Sequence, residues 1–125
     1  MLTGIQIRNY LFVPEQKLSF GPGMTVLSGE TGAGKSILVG SVSLIFADPA
    51  PALEAFDPQQ PIYLEASFDL SHNFEVRDWL AEQGYEPEDE LVLAREVSTA
   101  GKSSYFLNGR KVTASLLREL KPLMI

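Results

Sequence analysis

The segment "GETGAGKS", Gly29–Ser36, constrains the fold of this chain more than any other part of its sequence. It satisfies the pattern G-x-x-x-x-G-K-[ST] in full. It lies between the apolar run "MTVLS" (Met24–Ser28) and a stretch from Lys35 with apolar residues at helical spacing. A buried strand, a glycine-rich loop and a helix in that order distinguish a phosphate-binding loop from a chance match. The sequence therefore predicts an α/β fold built around such a loop.

The residue types of this loop fit a polyphosphate ligand. Gly29, Gly32 and Gly34 have no Cβ, so backbone N–H groups can approach the phosphates closely. A helix that opens at Lys35 directs its free amides and its positive dipole end at the same phosphates. Lys35 supplies a charge for the β- and γ-phosphates, and Ser36 offers a hydroxyl to Mg²⁺. The motif predicts a nucleoside triphosphate with Mg²⁺, and Ser36 as the metal ligand.

Hydrolysis requires groups that this loop does not contain. It needs an acid at the end of a second buried strand, a group that orients water, and usually a positive charge for the transition state. "LIFAD", Leu44–Asp48, has four apolar residues and an acid, but its periodicity continues the helix from Lys35. "EASFD", ending at Asp69, alternates polar and apolar residues and predicts a half-exposed strand, with a magnesium role as the lesser alternative. The sequence therefore predicts a nucleotide-binding site without all the residues that hydrolysis requires.

The other elements alternate between strands and helices. Strands are predicted at Thr3–Arg8, Gln16–Phe20 and Ile62–Leu70, and within "ELVLAREVS" and "SSYFLNGRKVT"; helices are predicted from Lys35 to about Asp48, within "SHNFEVRDWLAEQGY" and after Thr113. Segment 48–61 contains four prolines and is predicted to be a loop, and Asn108-Gly109 a hairpin turn. This order predicts an α/β layer arrangement with a mixed, partly antiparallel sheet.

Composition narrows the classes of function. A chain of 125 residues with 45% hydrophobic content has enough apolar surface for the core of one domain. The absence of cysteine excludes disulfides and cysteine-based metal or thiol chemistry, and the single histidine, His72, argues against a histidine metal site. No apolar run reaches the roughly 18 residues of a membrane span, and there is no secretory signal pattern. We expect a soluble, cytoplasmic protein without a membrane partner.

The net charge of −6 provides no global attraction to nucleic acid. A DNA-binding role therefore requires a local basic patch, or parts of a longer protein. The candidate patch is the hairpin "GKSSYFLNGRK", where Lys102, Arg110 and Lys111 accompany Tyr105 and Phe106. A half-exposed hairpin carries such residues in any case, so this pattern leaves both interpretations open.

Other classes of protein share the phosphate-binding loop. A self-contained GTPase is expected to have N-K-x-D and D-x-x-G motifs, and neither occurs. A nucleotide kinase is expected to have an arginine-rich lid, whereas Arg77, Arg95, Arg110 and Arg118 are scattered along the chain. A non-catalytic module with a vestigial loop remains open, because the motif alone does not distinguish binding from turnover.

Three stretches together resemble the RecN family, bacterial DNA-repair ATPases of the SMC-like branch of the ABC superfamily. They are "MLTGIQIRNYLFV", "FGPGMTVLSGETGAGKSILVGSVSLI" and "REVSTAGKSSYFLNGRKVTASLLRELKPLMI", and they cover most of the chain in the order that the family has. The resemblance implies one incomplete ATP-binding head lobe over residues 1–125. Its expected partners are ATP, a C-terminal lobe of the same protein beyond a coiled coil, a second head in an ATP-dependent dimer, and DNA.

The resemblance also implies roles for particular residues. Nucleotide binding extends over the whole loop, that is Gly29, Glu30, Thr31, Gly32, Ala33, Gly34, Lys35 and Ser36. Arg8 and Asn9 match family residues that lie near the nucleotide. The second acidic motif, the ABC signature and the switch histidine are expected from a C-terminal segment, so 1–125 alone is expected to hydrolyse ATP poorly. The family's "GGR"-like turn is replaced by "ADPAPALEAFDPQQP", which removes the arginine expected there. The implied role is DNA double-strand break repair and recombination in the bacterial nucleoid.

Overall fold

The computed structural model describes residues 2–19, 40–47, 53–86 and 88–124. The predicted strand Met24–Ser28 and the loop Gly29–Ser36 lie outside these ranges. The described elements are β1 (Leu2–Tyr10), β2 (Val13–Ser19), α1 (residues 40–45), β3 (Ile62–Asp69), α2 (Phe74–Glu82), β4 (Glu90–Val97), β5 (Ser103–Leu107), β6 (Arg110–Val112) and α3 (Ala114–Met124). Every strand and helix predicted within the described ranges is present, with ends shifted by a few residues.

The six strands of the described ranges form one sheet in the order β2-β1-β3-β4-β5-β6. Each neighbouring pair within the described residues is antiparallel. This confirms the antiparallel part of the predicted sheet.

The two faces of the sheet follow from the period of two in the strand sequences. In β3, buried Leu64, Ala66 and Phe68 alternate with half-buried Glu65 and Ser67. This confirms the half-exposed strand predicted from the alternation that leads to Asp69. Because side chains of a strand point alternately to opposite faces, one face of the sheet is apolar and the other polar. We call the apolar one the inner face and the polar one the outer face.

The three helices that the structure describes contribute to the core that covers the inner face. Phe46, just after α1, is fully buried, and its ring centroid lies 6.0 Å from that of Phe68. Val76 and Leu80 of α2 and Leu117 and Leu120 of α3 belong to the same cluster. None of the helices within the described ranges is long and apolar enough to cross a membrane.

Helix ends match the local chemistry of the sequence. The Asn73 side chain accepts a hydrogen bond from the Val76 N–H at 3.1 Å, and that of Thr113 accepts one from the Leu116 N–H at 3.2 Å. Such caps satisfy amides that have no partner inside the helix. Residues 40–45 are helical and a turn follows at 46–47, so Leu44 and Ile45 continue a helix as their periodicity predicts, and the helix ends slightly before the predicted end near Asp48.

The hairpin turn between β5 and β6 is fixed by both of its central residues. Asn108 and Gly109 have φ of +48° and +83°, the left-handed pair of a tight hairpin turn. The Asn108 Oδ1 accepts a hydrogen bond from the Val92 N–H at 2.7 Å, which ties the turn to β4. Asn therefore serves here both as a residue that tolerates positive φ and as a hydrogen-bond partner for the neighbouring strand.

Substituting Asn108 tests this double role. Asn108→Ala is expected to lower the free energy of unfolding by about 2–3 kcal/mol, because it strains the positive φ and leaves the Val92 N–H without its acceptor. Asn108→Gly removes the same side-chain hydrogen bonds, including the one to Glu88, but not the tolerance of positive φ, and is expected to cost about 1 kcal/mol less. Urea denaturation of the three proteins measures both values. Equal stability of the two variants would show that φ strain contributes nothing.

Candidate nucleotide-binding site

The predicted phosphate-binding loop, Gly29–Ser36, lies outside the described residues, so its assignment stays a prediction from sequence. Of the predicted site residues, Arg8 and Asn9, near the end of β1, are described. Helix α1, which follows the loop in sequence, is described over residues 40–45.

Arg8 lies on the outer face of the sheet in a row of charged and aromatic side chains. The strand register aligns Arg8 with Glu15 on one side and Tyr63 on the other, and Tyr63 with Glu96. The Arg8 guanidinium carbon lies 5.4 Å from the centroid of the Tyr63 ring, and its Nε lies 3.4 Å from a Glu15 carboxylate oxygen. Because the Arg8 side chain is 54% exposed, the ion pair contributes little to stability and a bound anion could replace it.

Asn9 has a different environment from its neighbour. It is 8% exposed, and its φ is +59°. Its Nδ2 donates to the carbonyl oxygens of Asp57, Gln60 and Pro61 at 3.0, 2.9 and 3.1 Å, and its Oδ1 accepts from the Asp57 N–H at 2.6 Å. One side chain thus contacts four backbone groups of the proline-rich segment, with three carbonyl oxygens sharing its two N–H donors.

The segment held by Asn9 forms one wall of an open cleft. The cleft has a volume of about 680 Å³, and its lining includes Arg8, Asn9, Phe56, Tyr63 and Glu96. The Tyr63 hydroxyl donates to Glu65 Oε1 at 2.7 Å, and burial, with this hydrogen bond, raises the pKa of Tyr63 above its ordinary value. Tyr63 therefore keeps its proton at neutral pH and presents an aromatic wall rather than an anion.

Sequence patterns did not reveal the role of Asn9. Its partners lie 48 to 52 residues further along the chain, and no local motif points to them. The only local signal is that asparagine tolerates positive φ better than most residues. The resemblance placed both Arg8 and Asn9 near the nucleotide. The two side chains differ, since that of Arg8 is exposed, whereas that of Asn9 is engaged within the protein.

Asp69 is the last residue of β3 and precedes the turn that leads into α2. Its carboxylate accepts the Ser71 N–H at 2.9 Å, and that backbone hydrogen bond lowers the pKa of Asp69. This geometry suits a turn between a strand and a helix. Across the four described ranges, no group of three or more acidic or histidine side chains is placed to hold a metal ion.

The hairpin proposed from sequence as a nucleic-acid patch is divided between the two faces. Tyr105 lies under the Arg95 guanidinium, with the guanidinium carbon 5.2 Å from the ring centroid, in register with inner-face positions. Phe106 pairs with exposed Lys111 on the other face. The Arg110 guanidinium carbon lies 5.0 Å from the centroid of Tyr85. The aromatic residues therefore do not form one stacking surface.

Comparison with known proteins supports the assignment of this fold. Of solved structures, the Smc head domain of Pyrococcus furiosus, bound to the C-terminal domain of ScpA, aligns with a TM-score of 0.73 and 19% identity over 98% of this chain and 32% of that one. An SMC ATPase studied for ATP-driven dimerization and DNA-stimulated activation aligns with a TM-score of 0.68 and 18% identity over 98% of this chain and 78% of that one. At these identities the likeness concerns the fold: the chain has the fold of the N-terminal lobe of an SMC-type ATPase head.

Curated sequences identify a closer relationship. The DNA repair protein RecN of Bacillus subtilis is 38% identical over 126 aligned residues, which cover 100% of this chain and 22% of that protein. RecN of Synechocystis is 35% identical over 130 residues, again 100% of this chain and 22% of that protein. No protein-family model matches the chain. The chain matches the N-terminal part of RecN, as its sequence resemblance implies, and spans about a fifth of the length of these relatives.

Adjacent substitutions in β1 test the contrast between Arg8 and Asn9. Asn9→Ala is expected to lower the free energy of unfolding by about 3 kcal/mol, because it leaves several backbone groups of residues 57–61 without partners and strains a positive φ. Arg8→Ala is expected to cost less than about 1 kcal/mol, since its ion pair is exposed. Thermal and urea unfolding measure both. A loss for Asn9→Ala no larger than for Arg8→Ala would contradict the structural role of Asn9.

Proposed function

We propose that this chain is the ATP–Mg²⁺-binding lobe of an SMC-like ATPase that acts in DNA double-strand break repair and recombination. The observation that carries the proposal is the complete "GETGAGKS" motif within a chain whose every part aligns with a segment of RecN. In this proposal Gly29–Ser36 wrap the phosphates, Lys35 neutralises their charge and Ser36 binds Mg²⁺. Arg8 extends from the end of β1 as a candidate contact to the nucleotide.

The lobe requires further parts for turnover. Hydrolysis depends on groups placed where charge develops in the transition state, and these include a second acid and a group that orients water. The head fold of its structural relatives supports a site completed by a C-terminal lobe of the same protein and by a second head. ATP-driven dimerization is described for one of those SMC relatives. By this analogy DNA contact belongs to the assembled protein, in the bacterial cytoplasm at the nucleoid.

Nucleotide titration tests the binding part of the proposal. Wild-type protein is expected to bind MgATP, and Lys35→Ala to weaken binding by at least about tenfold, because it removes the charge on the β- and γ-phosphates. Lys111→Ala is the matched control, since Lys111 is an exposed lysine on β6. Isothermal titration calorimetry with and without Mg²⁺ gives both affinities. Equal affinities for wild type and Lys35→Ala would favour a module with a vestigial loop.

Turnover tests the incompleteness of the lobe. The chain alone is expected to hydrolyse ATP little faster than the Lys35→Ala variant, because it lacks the groups that stabilise the transition state. Adding the C-terminal part of a RecN protein as a separate chain is expected to raise the rate in a Lys35-dependent manner. A phosphate-release assay measures this. Brisk, Lys35-dependent hydrolysis by 1–125 alone would instead support a self-contained NTPase.

A further inference from the structure

Two arginines from distant parts of the chain hold the end of α1 and the turn that follows it. Arg95 Nη1 donates to the Leu44 carbonyl oxygen at 3.0 Å, and Arg118 Nε donates to the Ala47 carbonyl oxygen at 3.1 Å. The donors follow their acceptors in sequence by 51 and 71 residues. Carbonyls at the C-terminal end of a helix lack partners within it, and a positive charge there interacts favourably with the helix dipole. We call these two contacts the arginine clamp.

The Arg95 side chain is itself fixed in place. Its Nε and Nη2 donate to Ser103 Oγ at 3.2 and 3.0 Å, and its guanidinium lies over the Tyr105 ring. A planar guanidinium that is bound on several sides loses little further entropy when it binds one more acceptor. The position of the Leu44 carbonyl is therefore fixed relative to β4 and β5, while Arg118 fixes Ala47 relative to α3.

The residues between the clamped carbonyls are also immobilised. Ile45 and Phe46 are both 0% exposed, so this turn is packed against the core as well as hydrogen-bonded. Ala47 has φ of +64°, and its N–H donates to the Leu44 carbonyl at 3.1 Å, which ends the helix. Alanine in this conformation costs about 1–2 kcal/mol, a strain that the surrounding contacts must offset.

We propose that Arg95 and Arg118 are positioning residues for phosphate binding. The inference rests on the proposed function, in which the phosphate-binding loop precedes this same helix. In that proposal one helix runs from Lys35 to the clamped turn, so fixing its end relative to the sheet would also fix where its first amides point. A displacement of about 1 Å in a binding group can cost a large factor in function. Neither arginine contacts the nucleotide; both act through α1.

A purely structural role would have a different signature. If the clamp only stabilised the fold, its loss would lower the free energy of unfolding but leave the affinity of the folded protein unchanged. If it positions the helix, its loss lowers affinity, and by linkage bound nucleotide must in turn stabilise the clamped turn. Affinity and hydrogen exchange therefore separate the two roles.

The experiment compares Arg95→Ala and Arg118→Ala with Arg77→Ala. Arg77 is the matched control because its ion pair, Nη1 to Asp89 Oδ1 at 3.0 Å, does not involve α1. MgATP affinity is measured by calorimetry at a temperature where every variant is folded. Each clamp variant is expected to weaken binding by about fivefold or more, and Arg77→Ala by less than about twofold. Arg95→Lys keeps the charge without the planar fork and is expected to fall between wild type and Arg95→Ala.

Amide exchange at residues 40–47 provides the second measurement. MgATP is expected to slow this exchange in wild type and in Arg77→Ala, and to slow it less in the clamp variants. Unchanged affinity together with a lowered unfolding midpoint in Arg95→Ala and Arg118→Ala would overturn the proposal. If Arg95→Ala does not fold, Arg118→Ala and Ser103→Ala decide the matter. If wild type binds no MgATP, or Lys35→Ala binds it equally well, the proposed function fails first and the clamp proposal fails with it.

Discussion

Burial of one face of the antiparallel sheet is the constraint on which the rest of the structure depends. Ile7 of β1 is fully buried and pairs in register with Leu64, while Arg8 beside it faces outward opposite Tyr63. A slip of one residue would exchange the two faces, exposing Ile7 and burying Arg8, so the apolar pattern specifies the register strongly. The outward position of Arg8, and with it the row of charges on the outer face, is a consequence of core packing.

Asn9 shows how a strand end becomes a fixed point for a loop. The β1–β2 ladder pairs Arg8 with Glu15 and Tyr10 with Val13, and Asn9 lies between them with a positive φ. In this conformation the Asn9 side chain forms hydrogen bonds with the backbone of residues 57–61. A proline-rich segment has few backbone donors of its own with which to fold back on itself. The Asn9 side chain holds residues 57–61, while backbone hydrogen bonds from Leu11 to Glu54 and from Phe56 to Asn9 hold the residues before them. Residues held in this way line the neighbouring cleft.

Local sequence patterns predicted the strands, turns and helix caps. The environments of Asn9 and Arg95 depend instead on contacts with residues far away in sequence. The alternation in Ile62–Asp69, the Asn108-Gly109 turn and the cap at Thr113 are chemistry of adjacent residues, so the sequence was sufficient to predict them. The contacts of Asn9 and Arg95 join residues about 50 apart, and nothing near either residue indicates its partner. Such pairings depend on how the sheet and helices pack, which a single sequence does not encode in any short pattern. The phosphate loop is the converse case, since its motif is local and specific.

The distribution of charge limits what the net charge of −6 implies about DNA. The acidic residues near the β5–β6 turn are partly engaged, because Glu88 accepts a hydrogen bond from Asn108 at 2.7 Å and Asp89 pairs with Arg77 at 3.0 Å. Lys102 directly precedes β5, at the end of the strand opposite the β5–β6 turn. At the rise per residue of an extended strand, it lies about 20 Å from that turn. Salt screens charges over about 8 Å under physiological conditions, so the acidic end has little effect on the potential at Lys102. The acid on the strand beside Lys102 is exposed Glu96, which pairs in register with Ser104. The acidity of this lobe therefore argues against a uniform attraction to DNA but not against a contact at one end of the sheet. Any such contact depends on the neighbours that an assembled protein brings to Lys102.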